Sequence, residues 1–279
     1  MPAALIYERC GRALPDDAAQ PPGNWSMFKQ LAALTFAALL ASGPTAHIAG
    51  AQGGLTAPHE ASLPKPDADG FIALFNGRDL SGWAGLPDYW SVTEGSIRGK
   101  QAKETSKQTF LVFAGLRVKD FELRLKYRFA SPEGNSGLQF RSRVLDPEAF
   151  RVGGYQADFD AAVMYDGTIY DEAGVAGDRG TMSNRGEATI WDSANKRHNR
   201  PLKERALVLT RAIKRGDWND VVLLVRGRHI VYRINGHVMT DLLDNSPAAL
   251  AEGILALQLH EGFTMDVRFK DLRLKTLNE

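Results

Sequence analysis

The chain has 279 residues, 44% hydrophobic and 24% charged, with a formal net charge of +1. That composition belongs to an ordinary globular protein, one large β domain or two small ones. The near-neutral charge gives no electrostatic footprint for nucleic acid and suits a neutral polar ligand such as a sugar. Cys10 is the one cysteine, which excludes an intrachain disulfide.

In chain order, the first feature is the run that starts at Met27, "MFKQLAALTFAALLASGPTAHIAGAQ". Lys29 is a short positive start, residues 31–41 are apolar but too short to span a bilayer, and Ala49-Gly50-Ala51 fits a small-residue cleavage site. We therefore expect a signal peptide over 27–51, a gene-model extension over 1–26, and a periplasmic or secreted protein with no membrane segment once the leader is removed. No cysteine follows the apolar run, which argues against a lipid anchor. Residues 52–69 are rich in Gly, Pro and Ala and read as a linker, so the folded domain is expected over 70–279.

From Gly70 the pattern is β. In "FELRLKYRF" Phe121, Leu123, Leu125, Tyr127 and Phe129 alternate with Glu122, Arg124, Lys126 and Arg128, one face for a core and one for water. "VVLLV" and "IVYRI" flank a turn at 226–229, and Asn235-Gly236 then marks a hairpin. "MDVRFKDLRLKTL" changes parity near Lys270-Asp271, the mark of a β-bulge. Only Pro201–Ile213, with Pro201 in the first turn, reads as a helix. The fold class expected is all-β, a two-sheet antiparallel β-sandwich or jelly roll with one short helix.

Several strands carry polar groups on one parity. Gln258 and His260 share a face of "GILALQLHEG", opposite Leu255, Leu257 and Leu259. "NSGLQFRSRV" opens with Asn135 and aligns Gln139, Arg141 and Arg143; "GYQADFD" aligns Gln156 with Asp158; "GTIYDEAG" ends in Tyr170, Asp171 and Glu172. Each alone reads equally as a solvated or hydrogen-bonded structural residue. Together they describe a concave sheet face that binds a polyhydroxylated ligand. Trp83, Trp90 and Trp191 are candidate stacking platforms, with core packing as the competing reading.

These segments, with "GFIALFNGRDLSGW", "WSVTEGSIRG" and "VRFKDLRLKTL", closely resemble the 3-keto-disaccharide hydrolase family over roughly Gly70 to Leu277. The resemblance implies a concanavalin-like jelly roll that acts as a hydrolase or lyase on glycosides already oxidised to a ketone at C3. It also implies a divalent metal as a companion. The region Ala173 to His198 departs from plainer members and is expected to shape substrate choice.

A C3 ketone makes the C2 proton acidic, so a base can remove it and the C1 substituent leaves by β-elimination; water then adds back. Such a path needs a base, an electrophile at the ketone oxygen and a proton donor for the leaving group. His260 suits base or metal ligand, Asp158 and Glu172 suit metal ligand or acid/base roles, and Arg141 suits the ketone or enolate oxygen. Gln258, Gln156, Gln139, Tyr170, Asn135, Trp90 and Trp191 are the expected substrate contacts. No tight metal-ligand spacing occurs, so the metal set of His260, Asp158 and Glu172 rests on the resemblance and residue type. The competing function is a non-catalytic carbohydrate-binding module, since fold alone does not fix function. Convergence of His, Asp and Glu at one accessible spot would favour catalysis.

Overall fold

A computed structural model describes residues 63–277. The expected extension, the leader and most of the linker lie outside the described residues. The linker's last residues already belong to the fold: Leu63 packs against the core, and the Asp67 carboxylate accepts the amides of Asp69 and Phe71.

The strands are β1 (Ile72–Ala73), β2 (Trp83–Ala84), β3 (Trp90–Thr93), β4 (Ser96–Gln101), β5 (Thr109–Val118) and β6 (Phe121–Phe129). They continue with β7 (Asn135–Asp146), β8 (Arg151–Asp160), β9 (Ile169–Glu172), β10 (Thr181–Ser183), β11 (Glu187–Trp191) and β12 (Arg197–Pro201). After helix α1 (Ala206–Ala212) come β13 (Asn219–Arg226), β14 (His229–Ile234), β15 (His237–Asp244), β16 (Gly253–Leu259) and β17 (Met265–Thr276). One sheet has ten strands in the order β12-β11-β15-β14-β13-β6-β17-β4-β3, with β1 also on β17. The other has seven, β10-β9-β8-β7-β16-β5-β2. Apart from the parallel β11–β15 pair, neighbours are antiparallel. The all-β sandwich expected from the sequence is the architecture found.

Alternation builds both layers. On β6 every second side chain from Phe121 to Phe129 is buried, and the charged set between them faces outward. The seven-stranded sheet answers with Leu138, Phe140, Tyr155, Phe159, Leu255, Leu257 and Leu259 in the same apolar cluster. Tyr127 and Phe159 stack across the two layers with centroids 4.2 Å apart. Burying side chains of this size contributes about 1.5–3 kcal/mol each, the main drive to close the sandwich.

The turns follow local chemistry. Asn235 and Gly236 both adopt positive φ, 50° and 85°, and close the β14–β15 hairpin. The bulge on β17 lies at the predicted place: the register on β6 shifts between Lys270 and Arg273, and Asp271 has φ 54°. The helix is shorter than expected. Pro201 does not open it but ends β12, opposite Glu187 on an edge strand, where its missing N–H costs no ladder bond.

Candidate active site

The outer face of the seven-stranded sheet is built from the other parity of the same strands. β7, β8, β9 and β16 lie side by side, so Gln139, Gln156, Glu172 and Gln258 come from four adjacent strands. The ladder places Gln139 opposite Gln156, Gly137 opposite Asp158 and Gln156 opposite Tyr170. A cavity of about 660 Å³ sits above them. Asn135, Gln156, Asp158, Tyr165, Tyr170, Glu172, His260 and Phe263 line it, with Ala173 and Thr181 at its margin.

Hydrogen bonds tie this floor into one network. Ser142 donates to Gln139 (2.6 Å), and the Gln139 amide donates to Gln156 (2.7 Å). Gln156 Nε2 then donates to Asp158 Oδ1 (2.7 Å) and to Gln258 Oε1 (3.1 Å). Gln258 Nε2 donates to Glu172 Oε2 (3.2 Å), and Gln108 Nε2 to Glu172 Oε1 (3.1 Å). Gln139 and Gln258 are fully buried, so they hold the floor from beneath rather than touch a ligand. A satisfied buried amide chain of this kind fixes the orientation of the groups above it.

Burial pushes the Asp158 carboxyl up to about 7, against the opposing pull of the Gln156 and Thr168 hydrogen bonds. The proton count agrees. Thr168 Oγ1 lies 2.7 Å from both Asp158 Oδ2 and the Tyr165 carbonyl, yet a hydroxyl has one proton to give. A protonated Asp158 supplies the second. Burial also raises Glu172, partly countered by the Gln108 amide and the charge of His260. Burial first, and then the neighbouring carboxylates, keep the Tyr170 phenol protonated.

His260 follows the last residue of β16. Its amide bonds the Asn135 carbonyl (3.3 Å), and its ring meets Phe263 edge-on at 5.8 Å. Nδ1 lies 2.8 Å from the Glu261 carbonyl, which can only accept, so Nδ1 carries the proton. In the neutral ring Nε2 is then the bare nitrogen, as a base requires.

Four residues expected at the site lie elsewhere. Arg141 is not in the cavity. The β7–β8 register shifts between Phe140 and Arg143, and Arg141 sits in the bulge with φ 48°. Its guanidinium is spent on the carbonyls of Lys119, Gly227 and Leu250 and on the Asp120 carboxylate. Trp90 and Trp191 are core residues: Trp90 packs over Gly99, and Trp191 donates to the Met182 carbonyl. Trp83 likewise donates inward, to Leu74. The cavity's aromatics are Tyr165, Tyr170 and Phe263 instead.

The segment 173–198 reaches the cavity only through Ala173 and Thr181. The rest carries the chain from β10 in one sheet to β11 in the other. The donor set does not fit a divalent ion. Among the described residues no three of His, Cys, Asp and Glu converge as metal ligands, and every oxygen of Asp158 and Glu172 is already engaged in a hydrogen bond.

A β-sandwich that gathers an acid, a second carboxylate and an imidazole over an amide floor on one outer sheet face has the layout of a glycoside-acting enzyme. The chain belongs to the 3-keto-alpha-glucoside-1,2-lyase-like domain family, whose sequence profile matches residues 70–275. It is similar to a 3-keto-disaccharide hydrolase of Bacteroides thetaiotaomicron, 26% identical over 263 residues, covering 78% of this chain and 82% of that one. The fold matches a crystal structure from Parabacteroides distasonis that carries a provisional glycosyl hydrolase assignment. That match has a TM-score of 0.50 at 17% identity, covering 76% of this chain and 95% of the other.

Proposed function

We propose that this chain cleaves 3-keto-glycosides by C2 deprotonation and β-elimination, followed by hydration. The observation that carries the reading is the buried Asp158, its carboxyl pushed up to about 7, in the same cavity as His260 and Glu172. A binding module needs amides and aromatics but has no use for an acid poised near neutrality.

His260 Nε2 takes the C2 proton, and the C2–H electrons move into the enolate with the C3 oxygen. The Tyr170 phenol and the Asn135 amide line the cavity as donors for that oxygen. The C1–O bond breaks, and the departing oxygen takes its proton from Asp158. Glu172 offsets the charge of the imidazolium formed at His260. Water then adds at C1, giving its proton to Asp158, and His260 returns a proton to C2. No step is routed through a metal. Incubation with 3-keto-glycosides beside their unoxidised parents tests the reading: aglycone should be released from the oxidised set only.

We also infer that the chain is exported, on the pattern of Met27 to Ala51. N-terminal sequencing of protein from the native host should find a start near Gln52; a retained Met1 in the cytoplasm would contradict it.

A further inference from the structure

The outward face of the ten-stranded sheet has a charge arrangement that stability alone disfavours. Across β6 and β17 the ladder sets Arg128 opposite Arg268, Lys126 opposite Lys270 and Arg124 opposite Arg273. Across β4 and β17 it sets Arg98 opposite Arg268. Like charges directly opposite on a sheet repel, whereas opposite charges there stabilise. The carboxylates on this face cover only part of the excess: Asp266 binds Arg98, Glu122 binds Arg124, Asp220 binds Lys126 and Glu94 binds Arg268. Among the described residues Lys270 and Arg273 have no carboxylate partner; they lie over aromatic rings, Lys270 over Trp218 at 4.2 Å and Arg273 over Phe71 at 5.1 Å. Beside them a groove of about 640 Å³ runs between walls that carry three cations, Arg124, Lys126 and Arg273, against two carboxylates, Asp220 and Asp271, the first of them already bound to Lys126. The whole chain is near neutral at +1, so the excess is local to this face.

We propose that this face docks a linear acidic polysaccharide. Arg124, Lys126 and Arg128 on β6 and Arg268 and Lys270 on β17 stand about 7 Å apart along two rows about 5 Å apart, with Arg273 continuing the second row past the bulge, a ladder suited to a repeating chain of carboxylates. Among the described residues the exposed large apolar side chains, Met164, Tyr165, Ile190, Leu207, Val208 and Leu145, lie off β4, β6 and β17; Ile190 is on β11, toward the far edge of the same sheet, so the cationic rows themselves carry no apolar wedge for a lipid surface. A chain with so little net charge also lacks the overall basicity of a nucleic-acid binder. The surface is on the opposite sheet from the cavity, so its binding is read without turnover.

The test is binding of the full chain to polygalacturonate, with neutral dextran, anionic phosphatidylglycerol vesicles and duplex DNA as comparisons. Polygalacturonate should bind with an affinity that falls as NaCl rises from about 0.02 M to about 0.3 M, and dextran should not bind. Lys270→Glu with Arg273→Glu should weaken binding by about tenfold or more. The fold should persist on melting, because each change sets an opposite charge across from Lys126 or Arg124. Lys196→Glu, at an exposed turn, should leave binding unchanged. Equal binding to dextran, equal loss in Lys196→Glu, no loss in the double variant, or tighter binding to vesicles or DNA would each overturn the proposal.

Discussion

Gln156 and Asp158, two residues apart on β8, are joined by a hydrogen bond of 2.7 Å from Nε2 to Oδ1. The contact exists because Gly137 faces them across the ladder. A Cβ at Gly137 would meet the Gln156 amide carbon at 2.6 Å, so the amide lies flat over a residue with no side chain.

Gly137→Ala should therefore displace Gln156 and unlink Asp158 and Gln258 from it. An overpacked buried site of this kind costs typically about 1–3 kcal/mol. The Gln156 bond holds the Asp158 pKa down, so its loss should move the Asp158 limb of the pH–rate profile to higher pH. Turnover should fall while the protein still folds, as read by circular dichroism beside the pH profile.

The raised Asp158 carboxyl also sets a stability trend. Its pKa is about 7 in the folded protein against 3.8 for an unperturbed aspartate, so the folded state binds the extra proton between those limits. The stabilisation is complete below pH 3.8 and is lost as pH rises through about 7. Asp166, raised to about 7 by burial behind Tyr127, acts in the same direction. Melting temperature should decline from pH 5 to pH 8, and Asp158→Asn should flatten that decline. An unchanged slope in the variant would show that Asp158 does not titrate in this window.

Arg141 should behave as a structural residue. Its ion pair with Asp120 is buried on the arginine side and reinforced by three backbone carbonyls. Arg141→Met leaves Asp120 and those carbonyls without their partner, a loss of about 3–5 kcal/mol for a broken buried pair. Any folded variant should keep its turnover, measured per folded molecule. Loss of turnover at full stability would return Arg141 to the site.

Parity carried much of this architecture into view. The alternation of β6, the Asn235-Gly236 turn and the parity change at Lys270-Asp271 were all legible, and they fix the sheet faces. The same period of two put Gln156 with Asp158 and Gln258 with His260, whose site the cavity then gathers. Arg141 failed for the reason that parity itself can fail: a bulge at a non-glycine residue inverts the face, and nothing in "QFRSRV" announces it. The tryptophans failed because a ring that stacks on sugar and a ring that fills a core have the same sequence signal. Gln108, Thr168, Tyr165 and Phe263 went unseen because they enter from loops and strand ends, where no periodicity says which way a side chain points.

His260→Ala should separate chemistry from folding. The side chain's polar contact is the Glu261 carbonyl, so the stability loss should be about 0.5–1.5 kcal/mol. Loss of a general base should slow turnover by roughly 10²–10⁴-fold. Near-wild-type turnover would remove His260 from the reaction, and unfolding would make it a structural residue.

The most direct measurement follows solvent deuterium into C2 of a 3-keto-glycoside, with aglycone release monitored in the same reaction and the unoxidised parent as control. Proton abstraction at C2 predicts deuterium at C2 of the sugar product and release from the oxidised substrate alone. Release from both substrates at similar rates, or cleavage of the keto-glycoside with C2 hydrogen fully retained, would contradict elimination.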